Sequence, residues 1–174
     1  VYAEVCPHHL LFTKEDDSIR LNGYSIMKPA LATAVDKNAL WTALNDGTID
    51  VLATDHAPHT RAEKNNENPA FGVIGVELLL PLALTWYHEG RLTLRKIIEL
   101  CSENPCRIFN IKNKGFLCEG YDADLVVVDL DVEKIVNDEQ LFSKAKGSPY
   151  NGMKLKGWPV LTIVNGNIVL ENGM

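Results

Sequence analysis

Asp55 is followed within four residues by two imidazoles, His56 and His59, in the stretch IDVLATDHAPH. A carboxylate with neighbouring histidines can hold a divalent metal and move protons. The residues before it, Ile49, Val51, Leu52 and Ala53, are apolar, and Pro58 stops the run soon after. A short apolar run halted this way reads as a buried strand rather than a helix. In parallel α/β folds the chemistry sits where strands end and loops begin. The histidine spacing is not that of an HExxH site. The same residues also suit a plain strand end with an Asx turn and loop histidines.

A second group of this kind is Cys6-Pro7-His8-His9. Val1 to Cys6 reads as a strand, and Pro7 ends it. His8 and His9 then stand either at a site or in a turn with exposed rings. Lys28 lies in SIMKPAL, before a proline, so its backbone is extended rather than helical. A lone lysine is usually a solvated surface charge; its neighbours Ile26, Met27 and Leu31 make a directed role more plausible than usual.

Several elements must position these groups. Thr13 to Ser18 is a polar turn or short helix with Thr13 as N-cap. Asn22-Gly23 signals a turn. Asp36 is placed as the N-cap of a helix carrying Leu40, Trp41 and Leu44, closed by Gly47. The strand Ile49 to Thr54 follows at once, which gives the helix–strand half of a parallel unit. Residues 56–74 form a long polar loop, of the kind that is functional or mobile. Phe71-Gly72 and Gly75 punctuate its end, where glycine lets the backbone approach a ligand closely. A helix is expected over Val76 to His88, and another from Thr93 to Cys101. A third starts at Asn104-Pro105, with Asn as N-cap and Pro at N1. After Asn110 the texture becomes β-rich. Ala123 to Asp129 reads as a strand, and VLTIVNGNIVLENG as two strands joined by Asn165-Gly166.

The 174 residues suit one domain or one and a half. The formal charge is −6, so there is no basic footprint for nucleic acid or an anionic membrane. No apolar run reaches the ~18 residues of a membrane span. The four cysteines, Cys6, Cys101, Cys106 and Cys118, form no CxxC pair. They read as free thiols of a cytoplasmic protein. Val1 stands inside a strand without an initiator Met, so the chain reads as part of something longer.

AEVCPHHLLF, TIDVLATDHAPHTRAEK, PAFGVIGVELLLPL, NPCRIF and GYDADLVVVD occur here in that order. Together they resemble dihydroorotases of the amidohydrolase superfamily over nearly the whole chain. The resemblance implies an α/β fold, the C-terminal part of a metal-dependent (β/α)8 TIM-like barrel plus part of a small composite β-sandwich. Residues 1–112 would be the last barrel strands and helices, and residues 113–174 the sandwich portion. It implies zinc, two ions per complete site, with the HxH pair, bridging residue and other metal histidines upstream of this region. His8 and His9 are therefore not assigned as the main ligands; in some relatives the glutamate matching Glu4 touches an additional metal.

Carried over by position, Asp55 matches an aspartate that binds metal and acts as general base and acid. His59 matches a histidine holding the substrate carboxylate. Phe71 and Gly72 match a backbone contact to the dihydropyrimidine ring. Lys28 stands where relatives have Asn or Arg facing the substrate; their run resembles NPPLR, and this chain has KPALA. The implied reaction is reversible hydrolysis of dihydroorotate to N-carbamoyl-aspartate in pyrimidine biosynthesis, with residues 1–174 inactive alone. Implied partners are the small-molecule substrate, a second copy as a homodimer, or aspartate transcarbamoylase. Two alternatives stand beside it: a hydantoinase, dihydropyrimidinase or allantoinase, or a non-catalytic scaffold subunit.

Overall fold

The computed structural model describes residues 1–16, 24 and 26–171. The Asn22-Gly23 turn, Ser25 and the last two residues of Thr13 to Ser18 lie outside them. The chain divides into two units. One comprises Ala3–Leu79 with Ile135–Lys154; the other comprises Val1–Tyr2, Leu80–Lys134 and the segment from Leu155 onward.

In the first unit, β1 (Glu4–Val5) and β2 (Val51–Leu52) pair in parallel, with Glu4 opposite Val51 and Val5 opposite Leu52. Both are shorter than the expected Val1 to Cys6 and Ile49 to Thr54. The Ala3 N–H is taken by the Asp50 side chain at 2.8 Å, beside the start of the ladder. α1 (Pro7–Leu11) follows β1, so Pro7 opens a helix instead of merely ending a strand. This buries His8, at 1% exposure, where a turn would have exposed it.

α2 (Ala34–Asp46) returns the chain to β2. Its N-cap is Thr33, not Asp36. Thr33 Oγ1 accepts from the Asp36 N–H, and the Asp36 carboxylate accepts from the Thr33 N–H at 3.0 Å. This is a capping box, and it displaces the expected start by three residues. Trp41 and Leu44 are buried as expected, and Trp41 Nε1 donates to the Leu10 carbonyl at 2.9 Å, tying α2 to α1. Val5, Leu10, Leu44, Ile49 and Leu52 complete this core. Thr13 caps no helix among the described residues; its N–H and hydroxyl both donate to Asp16 Oδ2 in a local turn.

The segment 56–74 is not structureless. A second capping box, Thr60 with Glu63, starts α3 (Arg61–Lys64). His56 and Val73 then form a parallel bridge that brings the segment's ends together.

In the second unit, α4 (Leu79–His88) carries Pro81 in its first turn, where a missing N–H costs nothing. Residues 76–78 are a turn, so the helix begins later than Val76. α5 (Leu94–Ile98) is capped by Thr93 as expected. It continues through a π-helical turn, Glu99–Glu103, directly into α6 (Asn104–Ile108). Asn104 has helical angles (φ −64, ψ −47) and is not an N-cap. The Asn104 N–H bonds five residues back to the Glu99 carbonyl. The widened turn accommodates Pro105, whose ring would otherwise clash with a carbonyl four residues earlier. β3 (Leu125–Ile135), β4 (Lys154–Val164) and β5 (Asn167–Glu171) form a sheet in that order. β4 and β5 are antiparallel around Asn165-Gly166, both left-handed (φ 49 and 78), as the sequence predicts for a tight hairpin.

Candidate active site at the end of β2

Asp55 stands three residues past β2, exposed, with φ +45. A left-handed aspartate is uncommon and strained, and such strain collects where a side chain must be aimed. Among the described residues no hydrogen bond or ion pair engages its carboxylate. Glu4 lies on the neighbouring strand, and Cys6 just beyond that strand's end. Burial pushes the Cys6 thiol up to about 12, and the charges of Asp55 and then Glu4 add to the shift. Glu4 is opposite Val51 at the start of the ladder, and Asp55 follows its end. A free, aimed oxygen anion fits one ligand position of a divalent ion. Of the residues at this strand end, Asp55 is the one offered for that purpose.

His56 is committed elsewhere. Its Nδ1 accepts from the Gly75 N–H at 3.1 Å and the Val76 N–H at 3.4 Å, so Nε2 carries the proton. The Ala57 N–H donates to the Val73 carbonyl at 3.0 Å. These bonds latch the two ends of the loop. His59 is half-buried, with Nδ1 4.0 Å from Glu63 Oε2. Glu63 is already occupied by Thr60, whose hydrogen bonds hold its carboxyl below the usual range.

Lys28 and Phe71 meet: the ammonium sits 4.2 Å from the ring centroid, and both residues are exposed. Gly72 (φ +117) is buried, and a Cβ there would lie 2.4 Å from Ala57 Cβ. The close approach that glycine permits is thus to Ala57. The Gly72 N–H donates to the Ile26 carbonyl at 3.1 Å, and its carbonyl accepts from Lys64 Nζ at 2.9 Å. Its N–H is therefore spent within the chain, and its carbonyl keeps one lone pair.

Cys6, His8 and His9 form a separate cluster, with one ligating atom of each within 4.8 Å of the others. His9 Nε2 contacts the Pro29 carbonyl at 2.9 Å. Both His8 ring nitrogens are buried without a hydrogen-bond partner among the described residues. Burial holds the His8 ring down at about 3, with His9 adding, so His8 and the Cys6 thiol are neutral at pH 7. All four cysteines are free thiols, as expected.

Lys64 is the residue the sequence reading missed. It falls in a polar run, and nothing about its neighbours marks it for burial. Its one signal is Thr60-x-x-Glu63, which places it in the first turn of a helix.

The amidohydrolase family model matches residues 4–169, and the chain belongs to that family. It is 43% identical to a dihydroorotase of Brevibacillus brevis over 175 residues, covering 99% of this chain and 41% of that protein. A dihydroorotase of Bacillus subtilis is 42% identical with the same coverage. The solved L-hydantoinase (dihydropyrimidinase) of Arthrobacter aurescens superposes with a TM-score of 0.94 at 36% identity, covering all of this chain and 40% of that one. A D-hydantoinase gives 0.89 at 26% identity, over 99% and 40%. The chain thus spans about two fifths of the length of these relatives. Its fold is that of part of a TIM-barrel-like, metal-dependent amidohydrolase. No helix among the described residues is long and apolar enough to cross a membrane.

Proposed function

We propose that the complete protein is a dihydroorotase, hydrolysing the cyclic amide of dihydroorotate reversibly to N-carbamoyl-aspartate. The observation that carries this reading is Asp55: a strained, exposed, unengaged carboxylate at the end of a parallel strand, in a chain 43% identical to dihydroorotases. Asp55 takes the proton of the attacking water and delivers it to the departing ring nitrogen. A divalent metal, zinc in this proposal and two ions per site, would be held in part by Asp55 and would lower the pKa of water toward ~7. His59 holds the substrate carboxylate by a hydrogen bond, and the Lys28 ammonium is a further partner for it. The backbone at Phe71-Gly72 touches the dihydropyrimidine ring. That contact falls to Phe71 and to the remaining lone pair of the Gly72 carbonyl, since the Gly72 N–H is occupied.

In the same proposal the barrel portion covers 1–112, and 113–174 belongs to a β-sandwich completed by sequence outside this chain. Residues 1–174 alone are expected to lack turnover. The enzyme is placed in the cytoplasm. A hydantoinase reading has specific support in the 0.94 superposition on an L-hydantoinase. Assaying the complete protein on dihydroorotate, hydantoin and allantoin side by side decides between them. Turnover of the neutral rings alone would overturn the dihydroorotase reading.

A further inference from the structure

Lys64 is 5% exposed, makes no ion pair among the described residues, and has its pKa lowered by burial. Its three donors are all used on backbone carbonyls: Ile26 at 2.8 Å, Ala70 at 2.9 Å and Gly72 at 2.9 Å. A buried ammonium is costly unless fully hydrogen-bonded, and this one spends two of its three donors on the residues that flank Phe71 and the third on Ile26.

The consequence follows from peptide planarity. In a trans peptide the C=O and the next N–H point in opposite directions. Gripping the Ala70 carbonyl turns the Phe71 N–H away from Lys64. The Gly72 N–H, bound to the Ile26 carbonyl, turns the Phe71 carbonyl away from Ile26. Gripping the Gly72 carbonyl fixes the third plane. Among the described residues, the Phe71 N–H and C=O have no partner of their own. They are a donor and an acceptor held in fixed directions, which matches the C=O and N–H edge of a cyclic ureide.

We infer that Lys64 is a positioning residue: it orients the Phe71 backbone to read the amide edge of the substrate ring. This deepens the dihydroorotase reading and rests on it for the identity of the ring.

The test uses the complete protein with Lys64→Met, which keeps length and removes the donors, and Lys64→Gln, which keeps two of them. Amide exchange is followed at Gly72, whose N–H is bound to the Ile26 carbonyl, with Val51 as control, and KM and kcat are measured for dihydroorotate. The expected result is at least tenfold faster exchange at Gly72, unchanged exchange at Val51, and a tenfold or larger rise in KM. The fall in kcat should be smaller, with Gln between Met and wild type. Exchange at Gly72 within twofold of wild type would overturn the proposal. So would global unfolding of both variants, because the lysine would then be a general structural support. If the wild type does not act on dihydroorotate, the dihydroorotase reading fails, and the exchange data still decide the role of Lys64.

Discussion

The Lys28 ammonium lies 4.2 Å from the centre of the Phe71 ring. The two residues come from different segments, and the sequence resemblance had given each a place against the substrate. A cation over an exposed ring contributes about 0.5–1 kcal/mol. Lys28→Ala and Phe71→Ala should therefore be coupled. In the complete protein, the double variant should raise KM for dihydroorotate less than the product of the two single effects. Strictly multiplicative effects would show that the contact does not operate in the substrate-bound enzyme.

Asp55→Asn should lower kcat by roughly 10²–10⁴-fold, the usual cost of losing a general base. The amide keeps the shape and cannot accept the proton. The melting temperature should not fall, because the carboxylate is exposed and has no described partner. A kcat within a few-fold of wild type would remove Asp55 from the mechanism.

His59→Ala should raise KM for the acidic substrate by roughly 10- to 100-fold. A hydrogen bond to a charged group contributes ~1.5–3 kcal/mol. A neutral hydantoin has no carboxylate to lose, so its KM should stay nearly constant. Equal effects on both substrates would show that His59 does not hold a carboxylate.

His8 should make the fold acid-sensitive. Its folded pKa is about 3 against an ordinary 6.5. Above pH 6.5 the ring is neutral in both states and contributes no pH dependence. Between pH 6.5 and 3 the unfolded chain takes up a proton that the folded chain refuses, so stability falls with acidification. At about 1.4 kcal/mol per unit, the loss near pH 4.5 is about 2–3 kcal/mol. Denaturant titrations at pH 7 and 4.5 should show a shallower loss for His8→Gln than for wild type. Parallel losses would place the acid sensitivity elsewhere.

Gly72→Ala should destabilise the fold by roughly 2–4 kcal/mol, from a positive φ and from overlap with Ala57. Adding Ala57→Gly should recover the overlap portion and leave the backbone strain. No recovery in the double variant would mean that Ala57 yields readily.

Much of this arrangement is legible in the sequence where the signal is local. Asn165-Gly166 dictates its hairpin, Thr93 caps its helix, and the apolar run before Asp55 reads as a strand end. The misses are tertiary or a matter of competing caps. Asp36 and Thr33 are both good caps, and only the reciprocal bond shows that Asp36 is the third helical residue. Asn104-Pro105 looks like a helix start because Pro cannot ordinarily sit inside one. Lys64 and His56 are polar residues in a polar stretch; their roles depend on carbonyls and amides that arrive from 6 to 38 residues away.

The π turn at Glu99–Glu103 holds one residue more than a straight helix would need for the same advance. Losing one residue there would not simply shorten the chain. It would restore ordinary winding and rotate everything after it by about a quarter turn or more, since each helical residue contributes ~100°. Arg107, now 3.6 Å from the buried Glu103 carboxylate, and Cys106, packed where Gly115 passes, would face new directions. In this helix, chain length acts as an angular setting, and homologues that differ by one residue between Ile98 and Pro105 should differ in which face of α6 they present.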